Sequence, residues 1–307
     1  MAKTMALFSG QGAQYPGMGK DLHENFADAR RIYECAGDIF GFDVAKTSFD
    51  GTPEELLKTD VSQPVIFTLS VAAYTVAREL LGEPQGVAGH SLGEYAALYC
   101  AGAYSLEDGM RILKARTAAM AKASRQTAST MYAIVGKDPG TIAEACAQIS
   151  GAVWPVNFNL PTQTVIAGEV EPCAKAAALL EEQGAKVVKL DVEGAFHTPL
   201  MEPAARELRE AAEKCSFSPL RMDFYSNMTG SRLDIENYPE YLSKHMLSPV
   251  RFVEQIQAMV ADGYDTCIEY GPKRVVTMAK KNHKAFAACN VEDTVTLKKA
   301  QEALGKA

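Results

Sequence analysis

Apolar and polar positions along this chain follow two periods, and the places where the period changes mark its elements. Thr4 to Phe8 is a short apolar run, read as a buried first strand. Gly10-Gln11-Gly12-Ala13-Gln14 follows as a loop, and a polar helix is expected from about Lys20 to Phe40. Ser62 to Leu81 is apolar almost throughout, with Gln63-Pro64 near its start and Gly82 at its end, the punctuation of a long helix. Gly86-Val87-Ala88 reads as a strand end, and Leu92 to Ala101 as a helix stopped by Gly102. Ser105-Leu106-Glu107-Asp108 opens another helix with a capping-box-like pattern, running to about Arg125 before a polar linker, Ser124 to Thr130.

The middle of the chain has a different grammar. Strands are expected at Met131–Val135, Val153–Asn157, Gln163–Ala167 and Ala185–Val192, with helices at Pro139–Ser150 and Glu171–Gln183. The order β-α-β-β-α-β is the ferredoxin-like arrangement. A small domain over residues 128–194 is therefore expected inside a larger one formed by 1–127 and 195–307. The larger part resumes with helices at about Pro203–Lys214 and Val250–Asp262, a strand at Thr266–Tyr270 and a helix near Arg274–Lys284. The fold class is α/β: an α/β-hydrolase-like large domain with a parallel-sheet core and an inserted ferredoxin-like βαββαβ domain.

Composition narrows the function. The 307 residues are 47% hydrophobic and 22% charged, ordinary for a globular protein, and the net charge of −7 argues against general nucleic-acid binding. Seven cysteines at wide spacings, with no Cys-x-x-Cys, fit reduced thiols in a cytoplasmic protein rather than a disulfide frame or a zinc site. No signal peptide and no 18-residue apolar run are evident, so no membrane association is expected.

The chemistry centres on Gly89-His90-Ser91-Leu92-Gly93, which has the form of a nucleophile elbow. A serine on a tight strand-to-helix turn exposes its hydroxyl, small residues two positions either side let strand and helix approach, and the N–H of Leu92 points toward a developing oxyanion. A serine hydroxyl needs a base. Of five histidines, His23, His245 and His283 read as solvated, and His90 points away from its neighbour on the turn. His197 lies in a loop, Gly194-Ala195-Phe196-His197-Thr198-Pro199, where it can face a cleft; the bland reading is a loop histidine bonded to backbone. Arg116 shares a helical stripe with Ile112, Leu113 and Met120, whereas Arg111 has Glu107 four residues before it for a surface pair. A guanidinium on a buried face needs a carboxylate, either from this protein or from a substrate. Gly10-Gln11-Gly12 fits no nucleotide loop; it is an ordinary turn or a presenter of one backbone N–H to an oxyanion.

Taken together, Gly10-Gln11-Gly12-Ala13-Gln14, Gly89 to Tyr95, Arg116 twenty-five residues after the serine, Val156-Asn157-Phe158-Asn159, Gln163, Gly194 to His197, Ser248-Pro249-Val250 and Glu269-Tyr270-Gly271-Pro272 resemble the malonyl-CoA:acyl carrier protein transacylases of dissociated fatty-acid synthesis. The resemblance implies that Ser91 is acylated, that His197 is its base, and that the N–H groups of Gln11 and Leu92 hold the oxyanion. It implies that Arg116 binds the malonyl carboxylate, that Phe196, Gln63 and Asn159 contact the substrate, and that the backbone carbonyl of Arg251 orients the imidazole. Thr162 and Lys273 stand where relatives often carry glycine. The implied substrate is malonyl-CoA and the implied partner an acyl carrier protein bearing phosphopantetheine, with no metal or other cofactor, and the enzyme is expected to be a monomer. Alternatives are a stand-alone acyltransferase of a polyketide synthase and a serine hydrolase or thioesterase. Lys273, Arg274, Lys280, Lys281 and Lys284 form a run without an acid, read first as a solvated helix face and second as a docking surface for an acidic carrier.

Overall fold

The computed structural model describes residues 3–306, so the outermost residues of the expected large domain, Met1, Ala2 and Ala307, lie outside the described residues. The strands in chain order are β1 (Thr4–Phe8), β2 (Gly86–Gly89), β3 (Ser129–Val135), β4 (Val153–Leu160), β5 (Gln163–Glu169), β6 (Lys186–Lys189), β7 (Asp223–Tyr225), β8 (Thr266–Tyr270) and β9 (Ala287–Val291). They form two sheets. One is fully parallel, in the order β7-β2-β1-β8-β9, and the other is antiparallel, in the order β4-β5-β3-β6.

The parallel sheet is apolar on both faces because helices cover both. Along β1, Ala6 and Phe8 face the larger core, while Met5 and Leu7 face a second cluster built with Phe252, Ile256, Met259, Val275 and Val276. The chain runs from β1 to β2 on one side and returns to β8 on the other, so the strand order reverses at β1. A crevice opens at such a switch point, outside the carboxyl ends of the strands. Ser9-Gly10-Gln11, His90-Ser91 and Gly271-Pro272 all follow strand ends there. In the small sheet, Ile134 and Ile166 pack under the helices Pro139–Gln148 and Val170–Glu182, whereas Met131, Ala133 and Val165 face the large domain and wall the crevice.

Several elements depart from the sequence pattern. The polar helix breaks into Lys20–Asn25 and Ala27–Phe40, because Phe26 is extended and turns its ring onto the core. The long apolar helix starts a turn earlier, at Thr59, where the Glu193 carboxylate accepts the Thr59 N–H at 2.8 Å. This helix, Thr59–Leu81, is long and apolar enough to cross a membrane, contrary to the expectation that no such run exists, but it packs into the protein core. The helix Leu106–Gln126 reaches into the expected linker, and Arg111 pairs with Asp108 at 2.9 Å rather than with Glu107. The helices Val44–Asp50, Pro53–Leu57, Tyr238–Leu247 and Thr294–Ala303, with β7 and β9, were not legible from periodicity.

Gly93 is fixed by contact. A Cβ there would overlap the carbonyl of Phe8, and one at Gly89 would overlap the Gly93 backbone. Gly93→Ala should cost about 3 kcal/mol or prevent folding, measured by urea denaturation followed by circular dichroism; a loss below about 0.5 kcal/mol would contradict the close approach.

Candidate active site

Between β2 and the helix Gly93–Cys100 the chain turns through Ser91, whose φ is 52°. Among the described residues only one other side-chain-bearing residue has positive φ: His197, at 63°. Strain of this kind, worth about 1–3 kcal/mol per residue, persists only where the surroundings over-determine it. Here the two strained residues meet, with Ser91 Oγ 2.7 Å from His197 Nε2. The His197 loop is held by Thr198, whose hydroxyl donates to the Ala195 carbonyl at 2.7 Å, and by Ser129, whose hydroxyl accepts the Ala195 N–H at 3.0 Å.

The other imidazole nitrogen identifies the tautomer. Nδ1 lies 2.9 Å from the carbonyl of Ser248, which can only accept, so Nδ1 carries the hydrogen and Nε2 offers its lone pair to the serine hydroxyl. This corrects the assignment to Arg251. Ser248 ends the helix Tyr238–Leu247 with its carbonyl free to turn inward, whereas the Arg251 carbonyl is taken by the N–H of Gln255 at 3.0 Å. His197 is pushed down to about 3, first by burial and then by the charge of Arg116. Its imidazole is therefore neutral at physiological pH. The backbone N–H groups of Gln11 and Leu92 donate to no described residue; Leu92 follows Ser91 in the chain and Gln11 lines the same cleft.

Arg116 is 1% exposed and has no carboxylate within ion-pair distance among the described residues. One amino group of its guanidinium donates to the Gln63 side-chain carbonyl, its centre lies 5.0 Å from the Tyr95 ring centroid, and its Nε has no partner. Gln63 in turn donates to Gln11 Oε1 at 3.0 Å, and its amide lies over Met120. The protein thus buries a cation and supplies it with a neutral amide, and the Gln63 side chain that takes the guanidinium stands at the cleft wall in front of it.

A cleft opens between the two sheets, with Arg116 behind its wall rather than on it. Gln11, Gln63, Ser91, Phe196, His197 and Asn159 line it, and Met131, Val165 and Val192 give it an apolar wall. Asn159 accepts from His90 Nε2 at 2.7 Å, which ties the elbow to β4. Among the remaining histidines, His245 is the correction: it is 0% exposed, packed on His197 with ring centroids 5.6 Å apart and 3.3 Å from the carboxylate of Glu94. Burial pushes Glu94 up to about 8 and His245 well below the usual histidine range, so this pair sits mostly as neutral carboxyl and neutral imidazole. His23 is half-buried, edge-on to Tyr33 and Phe49. Glu94, Asn227, Tyr241 and His245 form a buried polar layer behind the elbow. A lone acid in the otherwise apolar helix Gly93–Cys100 was the one sequence signal for it. Lys280, Lys281 and Lys284 are exposed with no ion pair among the described residues, while Arg274 bends back to the Gly12 carbonyl at the cleft mouth.

The comparisons with known proteins agree with one another. Residues 6–303 match the family model described as acyl transferase domain. The chain is 35% identical to malonyl CoA-acyl carrier protein transacylase of Bacillus subtilis, over 99% of this chain and 98% of that one. A solved transacylase structure from Streptococcus pneumoniae superposes with a TM-score of 0.92 at 36% identity, covering 98% of this chain and 99% of that chain. A malonyl-transacylase solved in complex with a holo type II polyketide synthase acyl-carrier protein superposes with a TM-score of 0.93 at 33% identity, covering 98% and 99%.

His90 is pushed down to about 4 by burial, below the value of about 6.5 it takes when unfolded. Its contribution to stability is whole above pH 6.5 and is lost as pH falls toward 4. Between pH 7 and pH 5 the wild type should therefore lose about 2 kcal/mol that His90→Gln does not lose, read from paired urea titrations; parallel losses in both would refute the neutral assignment.

Proposed function

The chain belongs to the acyl transferase domain family, and from that premise we propose that it is a malonyl-CoA:acyl carrier protein transacylase working through a malonyl-serine intermediate. The single observation that carries the reading is the pairing of a Ser91–His197 dyad with a buried Arg116 that has no carboxylate of its own.

His197 Nε2 takes the proton of Ser91 as Oγ attacks the thioester carbonyl of malonyl-CoA. The oxyanion lies against the N–H groups of Gln11 and Leu92. As the carbon–sulfur bond breaks, the imidazolium returns that proton to the departing sulfur, and CoA leaves as a thiol. The phosphopantetheine thiol of the carrier protein then gives its proton to His197, its sulfur attacks the serine ester, and Ser91 recovers the proton as its oxygen departs. Each step uses protein groups and the two thiols only, so the scheme needs no metal or redox cofactor. Arg116 takes the malonyl carboxylate in place of the Gln63 carbonyl, with Phe196 placed to crowd any α-methyl branch and Asn159 and Gln63 lining the acyl site.

A serine hydrolase would set a carboxylate on Nδ1 of the base; the backbone carbonyl of Ser248 favours the transferase. The strand order β4-β5-β3-β6 supports a ferredoxin-like reading of the small domain, and the elbow between β2 and the next helix supports a hydrolase-like reading of the large one. We place the enzyme in the cytoplasm as a monomer, with Lys280, Lys281 and Lys284 facing the acidic carrier.

Incubation with malonyl-CoA should release CoA in a burst and leave malonate as an ester on Ser91, seen by intact-mass spectrometry and absent in Ser91→Ala. Rapid loss of the ester to water would instead favour a hydrolase. Arg116→Ala should cut the preference for malonyl-CoA over acetyl-CoA by about 100-fold or more in kcat/KM, because a buried cation no longer demands the carboxylate. Unchanged discrimination in competition assays would remove Arg116 from its role.

A further inference from the structure

We infer that Asn227 is the positioning residue of the dyad, joining the turn that carries Ser91 to the segment that seats His197. The inference rests on the functional reading above for its assay, but its geometry is independent of the substrate.

Asn227 lies just beyond the end of β7 and is fully buried. Every polar group it has is engaged. Its Oδ1 accepts the backbone N–H of Ser91 at 2.7 Å. Its Nδ2 donates to the Gly89 carbonyl at 2.7 Å and to Gln255 Oε1 at 3.0 Å. Its backbone N–H donates to the Glu94 carboxyl group. Its backbone carbonyl accepts the N–H of Arg251 at 3.0 Å. Three of these contacts grip the elbow, before, at and after the nucleophile. The last grips the stretch Ser248 to Arg251, whose Ser248 carbonyl orients the base.

The grip is itself braced. Tyr241 donates to Glu94 at 2.8 Å, and Gln255 donates to the Tyr225 carbonyl at 2.7 Å, tying Asn227 to a neighbouring helix and to the sheet end. Asn227 itself leaves no polar group unpaired, and a side chain so held is rigid, which is what a strained φ requires. Glycines at 89 and 93 make the sharp turn possible, but they hold nothing. The side chain of Asn227 is the group that reaches both the N–H of the strained residue and the carbonyl two residues before it. The competing explanation is that Asn227 only satisfies buried backbone groups, in which case its loss would cost stability and leave the chemistry alone.

The two explanations separate in the kinetics of Asn227→Ala and Asn227→Asp, made in the full chain. Stopped-flow release of CoA in a single turnover with malonyl-CoA reads acylation of Ser91, and steady-state assays give kcat and KM. Asn227→Ala should slow acylation about 100-fold, with KM for malonyl-CoA within about threefold of wild type. Asn227→Asp keeps the volume and the acceptor for the Ser91 N–H, and should recover about tenfold of that loss. Labelling of Ser91 by phenylmethanesulfonyl fluoride, which needs no malonyl recognition, should slow in parallel. An Ala variant that acylates within about threefold of wild type, or one whose KM rises as far as its kcat falls, overturns the inference. If Asn227→Ala fails to fold, Asn227→Asp decides: a tenfold slower acylation at unchanged KM supports the positioning role, and a wild-type rate refutes it. A wild-type enzyme that forms no malonyl-serine would strike the functional reading itself, whereas fast Asn227 variants strike only the role of Asn227.

Discussion

A hydrogen bond of 2.7 Å joins the only two side-chain-bearing residues among those described that hold left-handed backbone, and the rest of the site is arranged to keep it. Neither residue would adopt that conformation alone. Ser91 is allowed there by the close crossing of β2 and the helix Gly93–Cys100, possible because neither Gly89 nor Gly93 has a Cβ, and is gripped there by the Asn227 side chain. His197 is held by the Thr198 turn on one side and the Ser248 carbonyl on the other. The fold contributes the depth: at the switch point of the parallel sheet, loops after β1, β2 and β8 converge, and the small antiparallel sheet closes the far wall.

Electrostatics follows the same logic. The protein buries Arg116 without a counter-charge, and that unbalanced charge, after burial itself, lowers the pKa of His197. In the proposed reaction an incoming carboxylate would do two things at once. It would pair the guanidinium, and it would offset the charge that opposes protonation of His197. On that reading recognition and activation are coupled through a single side chain, and an acyl group lacking the acid end would lose on both counts.

Much of this was legible in the sequence because its carriers are local. The elbow is five contiguous residues, Arg116 betrays itself by an apolar stripe, and the alternation of β3 to β6 announces a separate sheet. What was hidden depends on contacts across long stretches of chain. The base-orienting carbonyl belongs to Ser248 rather than Arg251, since a backbone carbonyl carries no side-chain signature and only the geometry of the helix end decides. His245 read as solvated among polar neighbours, yet it lies at the centre of the buried layer, because its own helix turns that face inward against Glu94. Asn227 sits in Ser226-Asn227-Met228-Thr229-Gly230, a string that reads as an ordinary turn. Nothing in its surroundings along the chain marks the 136 residues that separate it from Ser91.

For the proposed reaction, the neutral carbonyl behind the imidazole bears on which nucleophile would finish it. An anion at that position would stabilise the imidazolium and make the ring proton-hungry enough to help a water molecule, whose own pKa is about 15.7. With only a dipole there, the ring remains a modest base. It can still relieve an incoming thiol, which releases its proton near pH 8.5, a step some seven powers of ten easier. In the proposed scheme, patience of the ester toward solvent and readiness toward sulfur would thus both follow from one acceptor that bears no charge.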